Sequence, residues 1–216
     1  MYIPKVNEEK NISILHALVT SHPLGTWVTH THEGLIVNHI PFMINSTLGE
    51  NGTLVGHVAK ANPIWKQFSS TENSVIIFQG VETYITPSWY PSKNEHGKAL
   101  PTWNYAVVHA YGLPRIIEDK EWLLNHLNEL TDEHESEQAL PWKVADAPED
   151  YIKHMLKGVV GIEIPIAKLE GKWKVNQNKQ ESDKLGVIEG LLSREDAQSK
   201  EMASYVQQYI TSNVDG

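Results

Sequence analysis

Runs of β-branched and alternating apolar residues predict that much of the chain forms short strands. Apolar residues at helical spacing first predict an amphipathic helix over residues 7–21. Glu33 and Gly34 separate the first two strand-like runs, which indicates a hairpin. Gly80 predicts a bend or bulge between two strands, and Gly171 predicts a turn. The predicted strands cover residues 24–31, 35–45, 53–58, 73–79, 81–86, 101–113, 159–169 and 172–176.

Helical patterns are fewer and follow no regular crossover scheme. They cover residues 118–134, 147–157 and 194–210, with a short helix after Asn62. Many short strands around one short helix favour a closed or partly closed barrel over a doubly wound sheet. The predicted fold class is therefore mainly β with peripheral helices. We expect one domain over residues 1–216, with a C-terminal helical extension from about residue 182.

Composition restricts the chemistry and the location of the protein. The absence of cysteine excludes disulfides, thiolate metal sites, iron–sulfur clusters and cysteine nucleophiles. No apolar run approaches the length of a membrane span, and the N-terminal sequence MYIPKVNEEK lacks the pattern of a signal peptide. We therefore expect a cytoplasmic protein with no membrane association.

The charge of the chain opposes general binding to nucleic acid. Its formal net charge is −9, whereas non-specific DNA binding depends on cationic side chains that meet phosphates. The one modest basic stretch, residues 168–184, is interleaved with acidic residues, and no helix-turn-helix with a basic second helix accompanies it. We expect a solvated surface there, so DNA binding remains open only as a local contact.

The stretch over residues 81–112 concentrates aromatic and hydrogen-bonding side chains. Ser88, Trp89 and Tyr90 project from a proline-stiffened loop, and Thr102, Trp103 and Asn104 begin the next strand. Such a combination suits a planar ligand with a polar rim. For Trp103 and Asn104 the alternative of simple packing is equally open. The strand itself is apolar on both faces, which predicts burial on both sides and favours a dimer.

The segment GHVAKANP places a strand end before a helix start. Asn62 can cap the helix, and free amides beside Lys60 would suit an anion such as a ligand phosphate. An ordinary capped helix with a solvated Lys60 is the alternative, and it is favoured on the residues alone. Two alternatives stay open for His57: it contacts a ligand, or it is a buried neutral imidazole.

Metal binding and hydrolytic catalysis find little support in the residue spacing. His30 and His32 lie on one face of a predicted strand and His39 follows soon after, but no HExxH helix or carboxylate at ligand spacing accompanies them. No nucleophile elbow, phosphate-binding loop or dinucleotide fingerprint is present. We therefore predict no metal and no catalytic residue, and whether the protein is an enzyme stays open.

Six motifs follow one another along the chain: YIP at the start, NHIPF at residues 38–42, GHVAKANPIW at 56–65, QGVETYITPSWY at 79–90, PTWNYAVVHAYG at 101–112 and EGKWKVNQNK at 170–179. Together they resemble the PaiB-like family of FMN-binding negative transcriptional regulators. Val81 departs from the family, whose members often have proline there. The resemblance implies a split β-barrel of the pyridoxamine-phosphate-oxidase type, and a homodimer with ligand sites at the subunit interface.

The resemblance also implies a cofactor and a set of binding residues. FMN is expected, with its phosphate near the helix start at Asn62 and its ring near the aromatic loop of a partner subunit. The implied function is negative regulation of protease production and sporulation; the alternatives are a flavin-dependent oxidoreductase and, less favoured, a haem-binding or haem-degrading protein. The residues that match the family pattern are His39, Pro41, Phe42, His57, Lys60, Ala61, Asn62, Ser88, Trp89, Tyr90, Thr102, Trp103, Asn104 and His109.

Overall fold

A mainly antiparallel sheet forms the centre of the fold in the computed structural model, which describes residues 1–211. β-Branched and aromatic residues fill its strands, as expected for side chains that pack on a pleated surface. The strands within the described residues are β1 (Glu8–Glu9), β2 (Leu24–Thr31), β3 (Gly34–Pro41), β4 (Met43–Asn45), β5 (Thr53–Ala59), β6 (Ser74–Ile85), β7 (Thr102–Gly112), β8 (Arg115–Ile117) and β9 (Val159–Lys174).

Seven α-helices accompany these strands in the described part of the chain. The first begins at Ile12, later than predicted, because the Asn11 side chain accepts the Ser13 N–H at 3.0 Å and caps the helix there. None of the helices within residues 1–211 has the length and apolar character needed to cross a membrane. The helices are α1 (Ile12–Ser21), α2 (Ile64–Gln67), α3 (Lys93–His96), α4 (Lys120–Glu135), α5 (Glu149–Leu156), α6 (Glu181–Leu192) and α7 (Ala197–Thr211).

The predicted hairpin is confirmed. Strands β2 and β3 pair from Leu24 opposite Pro41 to Thr31 opposite Gly34. Gly34 has a φ of 116°, a conformation that L side chains rarely adopt, and the Thr31 hydroxyl donates to its carbonyl at 2.9 Å. The Glu33 N–H also donates to the Thr31 hydroxyl at 3.2 Å, so one glycine and two side-chain hydrogen bonds close the turn.

The hydrogen-bonded strand order is β3-β2-β6-β7-β9-β5-β4, and β1 and β8 also pair with β9. Strands β3 and β4 are the two ends of this order. Within residues 1–211 the ladder is therefore open at these ends, as in a split barrel, and not a fully closed cylinder.

Two glycines that were predicted to alter a strand lie inside continuous strands. Strand β6 runs through Gly80 with a change of its buried side, since Phe78 is buried before it and Val81 after it, and this change agrees with the predicted bulge. Strand β9 likewise runs through Gly171, where an added Cβ would lie 2.1 Å from Leu15 Cδ2. The predicted turn at Gly171 is wrong because this glycine serves a close approach of side chains.

Strand β7 buries mainly its face of small residues. Ala106, Val108 and Ala110 are fully buried, whereas on the other face Trp103 is 55% exposed and Val107 is 8% exposed. Within one chain the second face is therefore only partly covered. Its burial against a helix or a second subunit stays a prediction, and the small side chains of the first face allow close packing under the sheet.

The chain divides into two compact units, each built from separate segments. Unit 1 comprises Met1–Leu15, Gln79–Val108 and Glu170–Gly216, and unit 2 comprises His16–Phe78 and His109–Leu169. Within the described residues, each unit has its own buried apolar core. In unit 1 the core includes Ile85, Trp173, Val187, Leu191 and Met202; in unit 2 it includes Trp27, Phe42, Leu54, Ile64 and Phe78.

Candidate functional site

A polar cavity of about 460 Å³ in unit 1, here called the lysine cavity, gathers three of the predicted site residues. Tyr90, Thr102 and Asn104 line it, beside the end of strand β9 and the loop that follows. The complete lining is Pro4, Val6, Asn7, Tyr90, Lys98, Leu100, Pro101, Thr102, Asn104, Lys174, Asn176, Gln177, Asn178 and Lys179.

A chain of buried amides forms one wall of the lysine cavity. Asn104 Nδ2 donates to Asn176 Oδ1, and Asn176 Nδ2 donates to the Tyr90 hydroxyl at 3.0 Å. All three side chains are at least 95% buried, so these bonds hold them in one orientation. Asn176 has a φ of 64°, which asparagine tolerates better than most residues. Asn104 Oδ1 is a buried acceptor without a hydrogen-bond partner, which is unusual for a buried polar atom.

The charge of the lysine cavity is positive and is not compensated within its lining. Lys98, Lys174 and Lys179 contribute three ammonium groups, and no carboxylate lines the cavity in the part of the chain that is described. Lys174 Nζ donates to the Trp103 carbonyl at 2.8 Å and to the Thr102 hydroxyl. Burial lowers the pKa of Lys174, and neighbouring Lys172 lowers it further, although Tyr105 opposes the shift. An anion bound beside Lys174 would offset the cost of burying its positive charge.

The other residues that were predicted to surround a planar ligand, Ser88, Trp89 and Trp103, lie elsewhere, and both tryptophans have packing contacts. The Trp89 ring lies against Gly190, where an added Cβ would approach within 2.2 Å, and the Arg194 guanidinium lies 4.5 Å above the ring. Trp103 meets Tyr84 edge to face at 6.0 Å. Ser88 is exposed. None of Ser88, Trp89 and Trp103 lines the lysine cavity.

The predicted residues of strand β3 and the position after it have different environments. His39 is exposed and Pro41 is half-buried. Phe42 is 1% exposed and packs edge-on against Phe78 at 6.3 Å. Phe42 therefore has a core position, and His39 is the member of this group with a side chain open to a ligand.

The helix start at Asn62 is a capped turn whose polar groups are already paired. Lys60 N–H donates to the Gly158 carbonyl at 2.7 Å, and Asn62 N–H donates to the Ala59 carbonyl at 2.9 Å. The Asn62 side chain accepts the Ile64 N–H at 3.1 Å and donates to Asn38 Oδ1 at 2.7 Å. Helix α2 has only four residues, so its dipole is small.

Two further residues of the helix-start motif lie at the surface. Lys60 and Ala61 are exposed, and Lys60 Nζ lies 3.7 Å from a Glu118 carboxylate oxygen. This ion pair partly neutralises the charge of Lys60, which was predicted from the sequence to bind a phosphate. An exposed pair of this length contributes little energy, so Lys60 could still turn toward a ligand.

The two remaining predicted histidines are half-buried. His57 Nδ1 lies 3.2 Å from His126 Nε2, and burial lowers the pKa of His57. His109 Nδ1 lies 3.4 Å from the Tyr111 hydroxyl. His57 is therefore a half-buried, neutral imidazole with a second histidine as partner, which is one of the two alternatives that the sequence left open.

Several residues of the lysine cavity were not predicted. Lys174, Asn176 and Lys179 all lie in the motif EGKWKVNQNK, which carried the family resemblance, but no residue of that motif was selected. The surrounding basic stretch was expected to be solvated, whereas Lys172 is 9% exposed and Lys184 is 4% exposed. The sequence signal that could have identified the cavity was a motif at the end of a strand in which lysines alternate with asparagines.

Comparison with known proteins connects this geometry to a family. The sequence profile described as "Putative FMN-binding domain" matches residues 1–168. The protease synthase and sporulation protein PAI 2 of Bacillus subtilis is 31% identical over 214 residues, which cover 99% of this chain and 100% of that protein. The uncharacterized protein AN0679 of Emericella nidulans is 34% identical, over 88% of this chain and 90% of that protein.

Solved structures share the fold at low sequence identity. The FAD and heme binding protein from Mycobacterium smegmatis has a TM-score of 0.56 at 12% identity, over 77% of this chain and 73% of that chain. The flavocytochrome Anf3 from Azotobacter vinelandii has a TM-score of 0.55 at 12% identity, over 80% of this chain and 72% of that chain. The predicted fold class, a split barrel of antiparallel strands with peripheral helices, is confirmed. By its sequence, the chain belongs to the PaiB-like family of the FMN-binding-domain proteins.

Proposed function

We propose that the protein binds FMN and that the lysine cavity receives the phosphate. The observation that carries this proposal is a cavity with three lysines and no carboxylate in its lining, among the residues that are described. A phosphate monoester carries nearly two negative charges at neutral pH, and lysine is a common phosphate ligand. The cavity volume of about 460 Å³ is in the range of small-molecule sites.

The other groups of the cavity fit the rest of a flavin nucleotide. Asn104 Oδ1, buried without a partner, can accept a hydrogen bond from a hydroxyl of the ribityl chain. At the rim, Leu100 is 79% exposed and Val6 is 51% exposed, and such apolar surface suits one face of a planar ring. A second subunit would cover the other face of the ring, as in the predicted homodimer.

A phosphate at Asn62 remains a competing prediction. Its weak points are the paired amides of Lys60 and Asn62, the single helical turn of α2, and the contact between Lys60 and Glu118. The lysine cavity offers three cations, whereas the Asn62 turn offers one. The two locations can be separated by substitution of their lysines.

The test compares FMN with riboflavin, which lacks the phosphate. Fluorescence titration should show that Lys179→Met weakens FMN binding at least tenfold and leaves riboflavin binding nearly unchanged. Lys93→Met is the control, because Lys93 is exposed, belongs to the same unit and does not line the cavity. A loss of FMN affinity in Lys60→Met, with Lys179→Met unaffected, would move the phosphate to Asn62. Absence of flavin binding by the wild type would end the cofactor proposal.

The Bacillus relative motivates a regulatory role. It is named for protease synthesis and sporulation and aligns over nearly the whole chain, and we propose that the present protein is a cytoplasmic negative regulator. Direct DNA contact through residues 168–184 has little support, because Lys172 Nζ and Lys184 Nζ donate to the Tyr2 and Tyr209 carbonyls. We therefore favour regulation through a flavin or metabolite state. Gel shifts at low salt in both flavin states test this, and strong salt-sensitive binding would contradict it.

Two enzyme-like alternatives share the same first measurement. The relatives of similar fold include proteins named for both flavin and haem, so an absorption spectrum of the purified protein separates the two cofactors. Flavin that is reduced by a nicotinamide donor and turns over would favour an oxidoreductase. A Soret band would favour the haem alternative.

A further inference from the structure

A second cavity, of about 420 Å³, lies within unit 2 and has the opposite charge. Strands β4, β5 and β9 and helix α4 form it, and we call it the acidic cavity. Glu129 and Glu163 contribute carboxylates, Asn125 contributes an amide, and Ile44 and Val55 contribute apolar surface. None of these residues was predicted from the sequence.

The two carboxylates of the acidic cavity have no cationic partner. Neither Glu129 nor Glu163 has an ion pair within 4 Å in the described residues, and no lysine or arginine lines the cavity there. Arg115 lies opposite Glu163 in the β8–β9 register but makes no ion pair with it. Two carboxylates in one cavity attract a cation.

A buried histidine supplies an observation that is independent of the acidic pair. His126 lines the cavity, is 3% exposed, and has a buried Nδ1 with no hydrogen-bond partner. Its Nε2 contacts His57 Nδ1 at 3.2 Å. When Nε2 carries the proton and donates to His57, Nδ1 is an acceptor that can receive an N–H from a ligand.

The position of the histidine ring is fixed by packing. The Trp122 ring stacks on His126 at 5.3 Å with an interplanar angle of 20°. Trp122 also lies against Gly161, where an added Cβ would approach within 2.4 Å. The acceptor is therefore held in place before any ligand arrives, which reduces the entropy cost of binding.

We propose that the acidic cavity binds a small organic ammonium or amidinium cation that carries an apolar or aromatic group. The cationic N–H groups would donate to the Glu129 and Glu163 carboxylates, a separate N–H group of the same ligand would donate to His126 Nδ1, and the apolar group would lie against Ile44 and Val55. A bare metal ion fits less well, since no three possible ligands converge on one point within residues 1–211, whereas a ligand with separated N–H groups needs no such convergence. This proposal does not depend on flavin binding.

Isothermal titration of the full-length protein tests the proposal with three probes of similar shape. Phenethylammonium is the cation, phenethyl alcohol is its neutral counterpart, and 3-phenylpropanoate is the anion. We expect the cation to bind at least tenfold more tightly than the alcohol, and the anion not to bind. Equal affinity for cation and alcohol, or no binding of the cation, would overturn the proposal.

Matched variants locate the binding. The double variant Glu129→Gln/Glu163→Gln should weaken phenethylammonium at least tenfold while its thermal unfolding and FMN affinity stay near wild type. Glu133→Gln is the control, because Glu133 is exposed on the same helix and does not line the cavity. Unchanged cation affinity in the double variant, displacement of FMN by the probe, or carboxylate-dependent binding of Ca²⁺ in place of phenethylammonium would each contradict the proposal.

Discussion

The two cavities are similar in size and opposite in charge. The lysine cavity of unit 1 has a volume of about 460 Å³ and the acidic cavity of unit 2 about 420 Å³. The first collects three lysines and the second two glutamates, although the whole chain has a formal net charge of −9. Local lining, and not net charge, therefore decides which ligands each unit attracts.

Each cavity also has one buried polar atom without a partner. In the lysine cavity it is Asn104 Oδ1, held by the amide chain to Asn176 and Tyr90. In the acidic cavity it is His126 Nδ1, held by Trp122 and His57. The amide oxygen can only accept a hydrogen bond, whereas the imidazole nitrogen changes role with its protonation. Only the acidic cavity should therefore respond to mild acid.

Charge reversal in the lysine cavity should have the largest effect. Lys174→Glu/Lys179→Glu places carboxylates where the phosphate is proposed, and we expect FMN affinity to fall about a thousandfold, roughly 4 kcal/mol. Lys93→Glu/Lys200→Glu changes the net charge equally at exposed positions outside the cavity. Fluorescence titration measures both. Similar losses in the two double variants would mean that net charge, and not the cavity, controls binding.

A matched pair of glycine substitutions should separate the two units. Gly190→Ala would place a Cβ 2.2 Å from the Trp89 ring, and Gly161→Ala would place one 2.4 Å from the Trp122 ring. Each should destabilise folding by roughly 3 kcal/mol, because neither ring can move without repacking. Urea denaturation measures the loss.

Binding assays on the same pair sharpen the comparison. Gly161→Ala displaces the tryptophan that supports His126 and should reduce phenethylammonium binding more than FMN binding. Gly190→Ala should perturb unit 1 and spare the cation site. Equal effects of both variants on both ligands would show that the two cavities do not act separately.

Local patterns predicted the strands well and the role of glycine poorly. The hairpin at Gly34 followed from sequence because its turn depends on neighbouring residues. Gly171 resembled a turn, but it lies opposite Leu15, a partner distant in sequence. A glycine that closes a turn and one that admits a distant side chain have the same local signature, so only the fold distinguishes them.

The candidate site shows the same limit. Tyr90, Thr102 and Asn104 were predicted from their motifs and line one cavity. The lysines that give this cavity its charge were expected to be solvated, because lysine is rarely buried. The acidic cavity had no sequence signal, since Glu129 and Glu163 are an ordinary helix residue and an ordinary strand residue until folding brings them together.

Acid should destabilise the protein through His126. Burial, and secondarily His57, lower the pKa of His126 from 6.5 to about 4. Between these values the unfolded chain binds a proton that the folded chain does not, so the free energy of unfolding decreases as the pH falls through this window. We expect a loss of about 2 kcal/mol, below the full linkage value because water can reach the cavity.

Substitution tests this assignment. Urea denaturation at pH 7 and at pH 4.5 should show a weaker pH dependence for His126→Gln than for wild type. His134→Gln is the control, since His134 is exposed on the same helix. Glu129 and Glu163 also line the cavity, so each measurement is repeated in the Glu129→Gln/Glu163→Gln background. An unchanged slope for His126→Gln in both backgrounds would contradict the assignment.

The smallest expected effect concerns the amide chain of the lysine cavity. Tyr90→Phe leaves Asn176 Nδ2 buried without its acceptor and should reduce the free energy of unfolding by about 1 kcal/mol. Burial raises the pKa of Tyr90, so the phenol stays neutral and can donate its proton into the cavity. The variant should therefore also weaken FMN binding, by a few fold. Tyr84→Phe is the control, because Tyr84 is 41% exposed and lies outside the cavity. Equal stability and FMN affinity in the two variants would mean that the amide chain does not position the site.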